Sequence, residues 1–144
     1  MPRKYAENRR RAKNRKTSIQ IAAGALGLVL IVLLLISSRG LPAEVSVQDA
    51  YQMRKDGAFI LDVREPDEWQ EKHIPGATLI PLGQLPDRIN EVPQDQDIVV
   101  VCRSGNRSQE GRDILLAAGF KNVTSMAGGI NEWIAQGYEA EFGQ

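Results

Sequence analysis

The chain has 144 residues, enough for one domain at about 150 residues per domain. Its 18 basic and 18 acidic residues balance, but residues 1–16 hold eight basic residues and one acidic residue, whereas residues 40–144 hold nine basic and 17 acidic residues. Domains that bind nucleic acids present clustered Lys and Arg to phosphates, so the acidic part argues against such a domain. The single cysteine, Cys102, excludes an internal disulfide.

An uncharged segment separates the basic and acidic parts of the chain. Residues 17–38 contain no charged side chain, and residues 21–36 are almost all apolar. A helix of that length would extend roughly 33 Å, which exceeds the hydrocarbon thickness of about 30 Å. The sequence therefore predicts a transmembrane helix over 17–38.

The charges that flank this segment predict its orientation. Residues 1–16 are strongly basic, so the positive-inside rule places this arm in the cytoplasm and the acidic domain outside it. We interpret the arm as a topology determinant that also touches anionic lipid, rather than as a nucleic-acid-binding tail. A cleaved secretory signal is the competing interpretation. Signal cores run about 7–15 residues and end at a small-x-small site, whereas this run is longer and is followed by Arg39 and Pro42, so we expect an uncleaved anchor.

Residues 39–42 form a short linker, because Pro42 discourages a helix from continuing through it. Over residues 43–144 short β-rich runs alternate with helical patterns, which predicts an α/β domain with a mainly parallel sheet. Four consecutive β-branched residues at 98–101 are typical of a central strand that is buried on both faces. In chain order, we predict a helix capped by Ser46, a strand at 58–63, a short helix from Pro66, a strand at 77–80, a helical stretch at 82–91, the strand at 98–101, a helix at 108–118 with Gly119 at its C-terminal end, a strand at 123–126 and a helix at 128–136.

The segment 102–108 lies between the predicted central strand and a helix. Ligands of open α/β sheets bind at such carboxyl ends of strands, and a loop that curls into a helix start turns backbone N–H groups towards an anion. Gly105 permits the tight curl. The candidate site is therefore Cys102 with the loop residues Arg103, Ser104, Gly105, Asn106, Arg107 and Ser108.

Charge in this loop favours a reactive thiol. Helix N-termini and nearby cations stabilise the thiolate, which is the nucleophilic form of cysteine. We expect Arg107 to contribute more to thiolate formation and to donor use than Arg103. A lone cysteine after an apolar strand is more often an inert small hydrophobe, but the glycine, two arginines and two serines around Cys102 favour a catalytic nucleophile.

Four motifs in the order found here resemble the rhodanese family of sulfurtransferases, over roughly residues 43–144. The resemblance implies a parallel five-stranded sheet flanked by helices. It also implies that Cys102 takes a sulfane sulfur from a donor such as thiosulfate, becomes a persulfide and passes the sulfur to cyanide or a thiol. The implied partners are small sulfur-containing anions and thiol acceptors, with no cofactor. The motifs are 62–65 with Glu68 and Trp69, 73–77, the loop 102–108, and 128–133.

Two other functions are weaker interpretations of the same residues. Cysteine phosphatases and arsenate reductases resemble this arrangement but place five residues between Cys and Arg. Here four residues separate Cys102 from Arg107, and the next residue, Ser108, cannot supply a bidentate guanidinium clamp for a phosphoryl group. A membrane-tethered binding or regulatory module without turnover is the other alternative. Rhodanese-like domains serve that way when they lose the cysteine, and Cys102 is present.

Asp62 and Arg64 end a predicted strand, where they are candidates to support the Cys102 loop. We expect instead an ion pair between Arg64 and Glu68. His73, the only histidine, lies beside a Pro-Gly turn, so a structural contact is favoured over a general base.

One cysteine and one histidine far apart in the sequence do not make a metal site, so we expect no bound metal. Trp69 and Trp133 are expected to be packing anchors rather than substrate platforms.

Overall fold

A computed structural model of the protein describes residues 40–143. The predicted basic arm 1–16, the predicted transmembrane helix 17–38 and Arg39 of the linker lie outside these residues. Within residues 40–143, none of the helices combines the length and the apolar character that a membrane crossing requires.

Five parallel strands form one sheet in the spatial order β1-β5-β4-β2-β3. The described domain is therefore α/β with the five-stranded parallel sheet that the resemblance implies. Because the strands are parallel, their carboxyl ends meet at one edge of the sheet, and this edge carries the candidate site. The strands are β1 (Glu44–Val45), β2 (Phe59–Asp62), β3 (Thr78–Leu79), β4 (Ile98–Val101) and β5 (Val123–Met126).

The strands β2 to β5 agree with the sequence prediction to within one residue at each end. The strand β1 was not predicted from the pattern, because two residues give no detectable alternation. It forms beside β5, where the backbone N–H of Ser125 donates to the carbonyl of Ala43 at 3.1 Å. The centre of the sheet is β4, whose four residues are all buried.

Four helices cover the sheet. As predicted, Ser46 caps the first helix by accepting a hydrogen bond from the N–H of Asp49 at 3.1 Å, and Gly119 follows the third helix with φ +96°. The predicted helical stretch 82–91 consists of two 3-10 turns, Leu82–Gln84 and Ile89–Glu91. They do not join into one helix, because Pro86 between them lacks the N–H that a continuous helix needs. The helices are α1 (Val47–Lys55), α2 (Pro66–Glu71), α3 (Asn106–Ala117) and α4 (Gly129–Ala135).

Each face of the sheet buries its own apolar cluster. On one face Leu61, Val100 and Cys102 pack with Leu115 of α3, and on the other Val99 and Val101 pack with residues of α1 and α4. Burial of a Leu or Val side chain contributes about 1.5–3 kcal/mol, so these two clusters hold the layers together. The thiol therefore follows a strand whose four residues are all buried.

Candidate active site

Cys102 directly follows β4 and is 1% exposed. Its Sγ accepts a hydrogen bond from the N–H of Gly105 at 3.1 Å, and it lies 3.7 Å from the hydroxyl of Ser108, to which the thiol donates. The Ser108 hydroxyl in turn donates to the carbonyl of Gly105 at 2.7 Å. Since a backbone N–H points at the sulfur, the loop supplies a donor that suits a thiolate.

The loop turns into α3 at Gly105, whose φ of +110° lies in the left-handed region that glycine adopts readily. The helix therefore starts at Asn106, two residues before the predicted start at residue 108. This early start places Arg107 and Ser108 in the first turn of α3, with the Ser108 hydroxyl beside the thiol. Among the predicted loop residues, Gly105 and Ser108 are buried, whereas Arg103, Ser104 and Asn106 are exposed.

The start of α4 binds the backbone of the same loop. The N–H of Ile130 donates to the carbonyl of Cys102 at 2.8 Å, and the N–H of Asn131 donates to the carbonyl of Arg103 at 3.2 Å. Gly129 has φ +59°, and a Cβ atom on it would lie 2.3 Å from the Cys102 carbonyl oxygen. Only glycine allows the two backbones to approach this closely. Gly129 lies in the fourth family motif, 128–133, but the motif alone does not indicate this contact.

Asp62 and Arg64 form a buried ion pair at the end of β2. The Nη2 atom of Arg64 lies 2.6 Å from the carboxylate of Asp62, and the two residues are 3% and 0% exposed. The expected ion pair between Arg64 and Glu68 was wrong. Arg64 donates to the backbone carbonyls of Glu68 and Lys72 at 3.1 and 2.7 Å, because the guanidinium is already paired with the carboxylate two residues before it. Arg64 thus ties β2 to the end of α2.

The carboxylate of Glu68 binds Arg107 instead. Two hydrogen bonds of 2.7 and 2.8 Å join the guanidinium and the carboxylate, whose side chains are 33% and 18% exposed. Hydrogen bonding to Arg107 lowers the pKa of Glu68, against the opposing effect of burial. The resulting stabilisation is present above the ordinary carboxyl pKa and is lost as the pH falls through the lowered value. Local sequence patterns do not predict this contact, because the partners are 39 residues apart.

His73 and the two tryptophans make the structural contacts that were expected. The rings of His73 and Trp69 stack with centroids 3.8 Å apart. The backbone N–H of His73 donates to the backbone carbonyl of Glu141 at 2.8 Å. Trp133 is fully buried and its Nε1 donates to the carbonyl of Glu139 at 2.8 Å. Across residues 40–143, no group of three or more His, Cys, Asp or Glu side chains is placed to hold a metal ion.

A cavity of about 230 Å³ lies beside the Cys102 loop, between α2 and α4. The residues that line it include four charged residues of β2 and α2 or their ends, together with two residues near the loop: Arg64, Glu68, Glu71, Lys72, Arg103 and Asn131. Within the part of the chain that the structure describes, the guanidinium of Arg103 has neither a hydrogen bond nor an ion pair. The exposed cation of the loop is therefore Arg103, whereas Arg107 is occupied by Glu68.

The sequence model of the rhodanese-like domain matches residues 46–136, which is more than half of the chain. The chain belongs to the rhodanese-like domain family. A rhodanese-related protein from Thermoplasma volcanium has a solved structure that superposes with a TM-score of 0.66 at 30% identity, covering 71% of this chain and all of that chain. The rhodanese-like domain described here therefore has the fold of its family.

Several curated relatives carry functional names. Thiosulfate sulfurtransferase GlpE of Pseudomonas syringae is 36% identical over 86 residues, which span 60% of this chain and 81% of that protein. A sulfurtransferase of Allochromatium vinosum is 35% identical over 82 residues, which span 57% of this chain and 77% of that protein. The protein YrkF of Bacillus subtilis is 40% identical over 74 residues, and there the match covers 51% of this chain and 40% of the relative.

The close approach at Gly129 predicts a difference between two glycine variants. Gly129→Ala and Gly137→Ala both place a side chain at positive φ, but a Cβ at Gly137 meets nothing within 4 Å. Gly129→Ala adds a clash with backbone, so it should lower the free energy of unfolding by about 1–3 kcal/mol more than Gly137→Ala does. Urea unfolding of the full chain in detergent, followed by tryptophan fluorescence, measures both. Equal losses in the two variants would contradict the contact between α4 and the loop.

Proposed function

We propose that this protein is a rhodanese-type sulfurtransferase in which Cys102 carries the transferred sulfur as a persulfide. The observation that carries the proposal is the position of the lone thiol. It ends the central strand of the sheet and receives the N–H of Gly105 at 3.1 Å at the start of α3. Relatives named as sulfurtransferases support the same chemistry.

In the first half-reaction the Cys102 thiolate attacks the sulfane sulfur of a donor such as thiosulfate. A sulfur–sulfur bond forms to Cys102, and the bond between the sulfane sulfur and the sulfonate sulfur breaks. Sulfite leaves with that electron pair, so no external oxidant or reductant is needed. The N–H of Gly105 is placed to stabilise the negative charge on the Cys102 sulfur.

In the second half-reaction an acceptor attacks the outer sulfur of the persulfide. Cyanide would leave as thiocyanate, and a thiolate would leave as an organic persulfide. The bond between the two sulfurs on the protein breaks, and Cys102 returns as a thiolate for the next cycle. The exposed Arg103 lies at the cavity beside the loop, where it can meet an anionic donor or acceptor.

The sulfur-carrier role of Cys102 predicts a specific covalent product. Incubation of the full chain with thiosulfate, without an acceptor, should add one sulfur atom to the protein, because Cys102 is the only cysteine. Intact-mass analysis detects the added atom. Cys102→Ser, which keeps a similar volume but lacks the thiol, is the matched control and should remain unmodified. If the wild-type protein gains no sulfur from a donor that is known to be active, the result would favour a membrane-tethered binding or regulatory module without turnover.

We also propose that residues 17–38 anchor the protein in a membrane by a single span, with the arm 1–16 in the cytoplasm and the rhodanese-like domain outside it. The length of the uncharged segment supports the span, and the excess of basic residues on its N-terminal side supports the orientation. In this arrangement the domain would draw its sulfur donors and acceptors from outside the cytoplasm.

The proposed orientation predicts which part of the protein a protease reaches. Protease added to intact cells, after permeabilisation of any outer membrane, should digest the domain and leave the anchor. A fragment tagged at its N-terminus reports the anchor, and a cytoplasmic protein that survives digestion confirms that the inner membrane is intact. If the domain is digested only after that membrane is lysed, the orientation is wrong.

A further inference from the structure

The two arginines of the Cys102 loop are in different electrostatic situations. Arg107 makes two hydrogen bonds to the carboxylate of Glu68, which neutralises its charge, whereas Arg103 is exposed and faces the cavity beside the loop. The loop therefore holds two formal positive charges but presents only one of them without a counter-charge. A small anion that approaches the thiol therefore meets a weaker positive potential than two uncompensated arginines would produce.

Arg107 is the neighbour in sequence of a residue that contacts the sulfur. It precedes Ser108, whose hydroxyl lies 3.7 Å from Sγ, and both residues are in the first turn of α3. The pKa of Arg107 is raised mainly by its hydrogen bonds to Glu68, and the Cys102 thiolate raises it further. Removal of the Glu68 carboxylate would therefore leave an uncompensated positive charge near the thiol.

The carboxylate of Glu68 is held in place by the fold. Arg64, itself buried against Asp62, donates to the backbone carbonyls of Glu68 and Lys72 and so fixes α2 at the end of β2. The lowered pKa of Glu68 keeps the carboxylate ionised near neutral pH. The fold therefore holds the Glu68 carboxylate beside Arg107.

We propose that Glu68 determines the charge selectivity of Cys102, by occupying Arg107 and so weakening the attraction of the site for dianions. Glu68 also lines the cavity beside the loop, but the proposed effect passes through its contact with Arg107, so we treat it as a positioning residue. What this inference implies for sulfur donors rests on the proposed function. The favoured donor class is then organic persulfides, whose persulfide group carries a single negative charge, over the thiosulfate dianion.

The test uses two alkylating reagents of similar size and different charge, so it does not require sulfur transfer. Iodoacetate is an anion and iodoacetamide is neutral, and in this chain both can alkylate a thiol only at Cys102. In Glu68→Gln the ratio of the iodoacetate rate to the iodoacetamide rate should rise at least about threefold, because Arg107 regains an uncompensated charge. The rise should shrink in high salt.

Asp67→Asn is the matched control. Asp67 is the exposed carboxylate next to Glu68 on α2, and its removal changes the net charge equally without freeing Arg107. The rate ratio should stay at the wild-type value in this variant. An equal rise in Asp67→Asn, or no rise in Glu68→Gln, would overturn the inference.

Two further variants test whether the effect passes through Arg107. The double variant Glu68→Gln/Arg107→Gln should return the ratio to about the wild-type value. Arg107→Gln alone should lower it, because the Glu68 carboxylate is left without its partner. This second variant keeps the inference testable if Glu68→Gln does not fold, and an unchanged ratio in Arg107→Gln would contradict it.

Steady-state kinetics separate this inference from the proposed function. In Glu68→Gln the KM for thiosulfate should fall at least about threefold while kcat changes little, because the added attraction acts on donor binding. Wild-type protein that transfers no sulfur from any donor would contradict the proposed function, and the alkylation ratio would still decide the role of Glu68. An active enzyme whose thiosulfate KM is unchanged in Glu68→Gln would contradict the inference alone.

Discussion

The Cys102 loop depends on two backbone hydrogen bonds from the start of α4. The N–H groups of Ile130 and Asn131 would lack partners at a helix N-terminus, and the carbonyls of Cys102 and Arg103 supply them. These bonds form only because Gly129 has no Cβ atom at the point of closest approach. The loop is thereby held between β4, which orients the thiol, and α4, which fixes the loop backbone. The thiol position follows from this contact more than from any side chain of the loop.

A chain of charged contacts links the neighbouring strand to the same loop. Arg64 pairs with Asp62 in the interior, and loss of one partner would leave a buried charge uncompensated, which typically costs about 3–5 kcal/mol. The pair between Glu68 and Arg107 is partly exposed, and pairs of that kind contribute little to stability, on the order of 0–1 kcal/mol. The first pair therefore serves mainly to hold the fold at the end of β2, whereas the second has its main effect on the charge near Cys102.

The sequence predicted those parts of the structure that local patterns encode. Strand β4 follows from four consecutive β-branched residues, and the cap at Ser46 follows from its spacing to Asp49. Contacts between distant segments were beyond such patterns. The Glu68 carboxylate binds Arg107 rather than Arg64, because Asp62 already occupies Arg64 in the folded domain. The start of α3 was misplaced by two residues, since it depends on the left-handed conformation of Gly105.

Sulfite release in a single turnover measures whether Cys102 is the nucleophile that accepts sulfur. Full-length protein mixed with excess thiosulfate, in the absence of cyanide or a thiol, should release about one sulfite per chain and then stop, because each Cys102 accepts one sulfur. Addition of an acceptor should restart the release. Failure of the wild-type protein to release sulfite, or equal release by Cys102→Ser, would contradict the account.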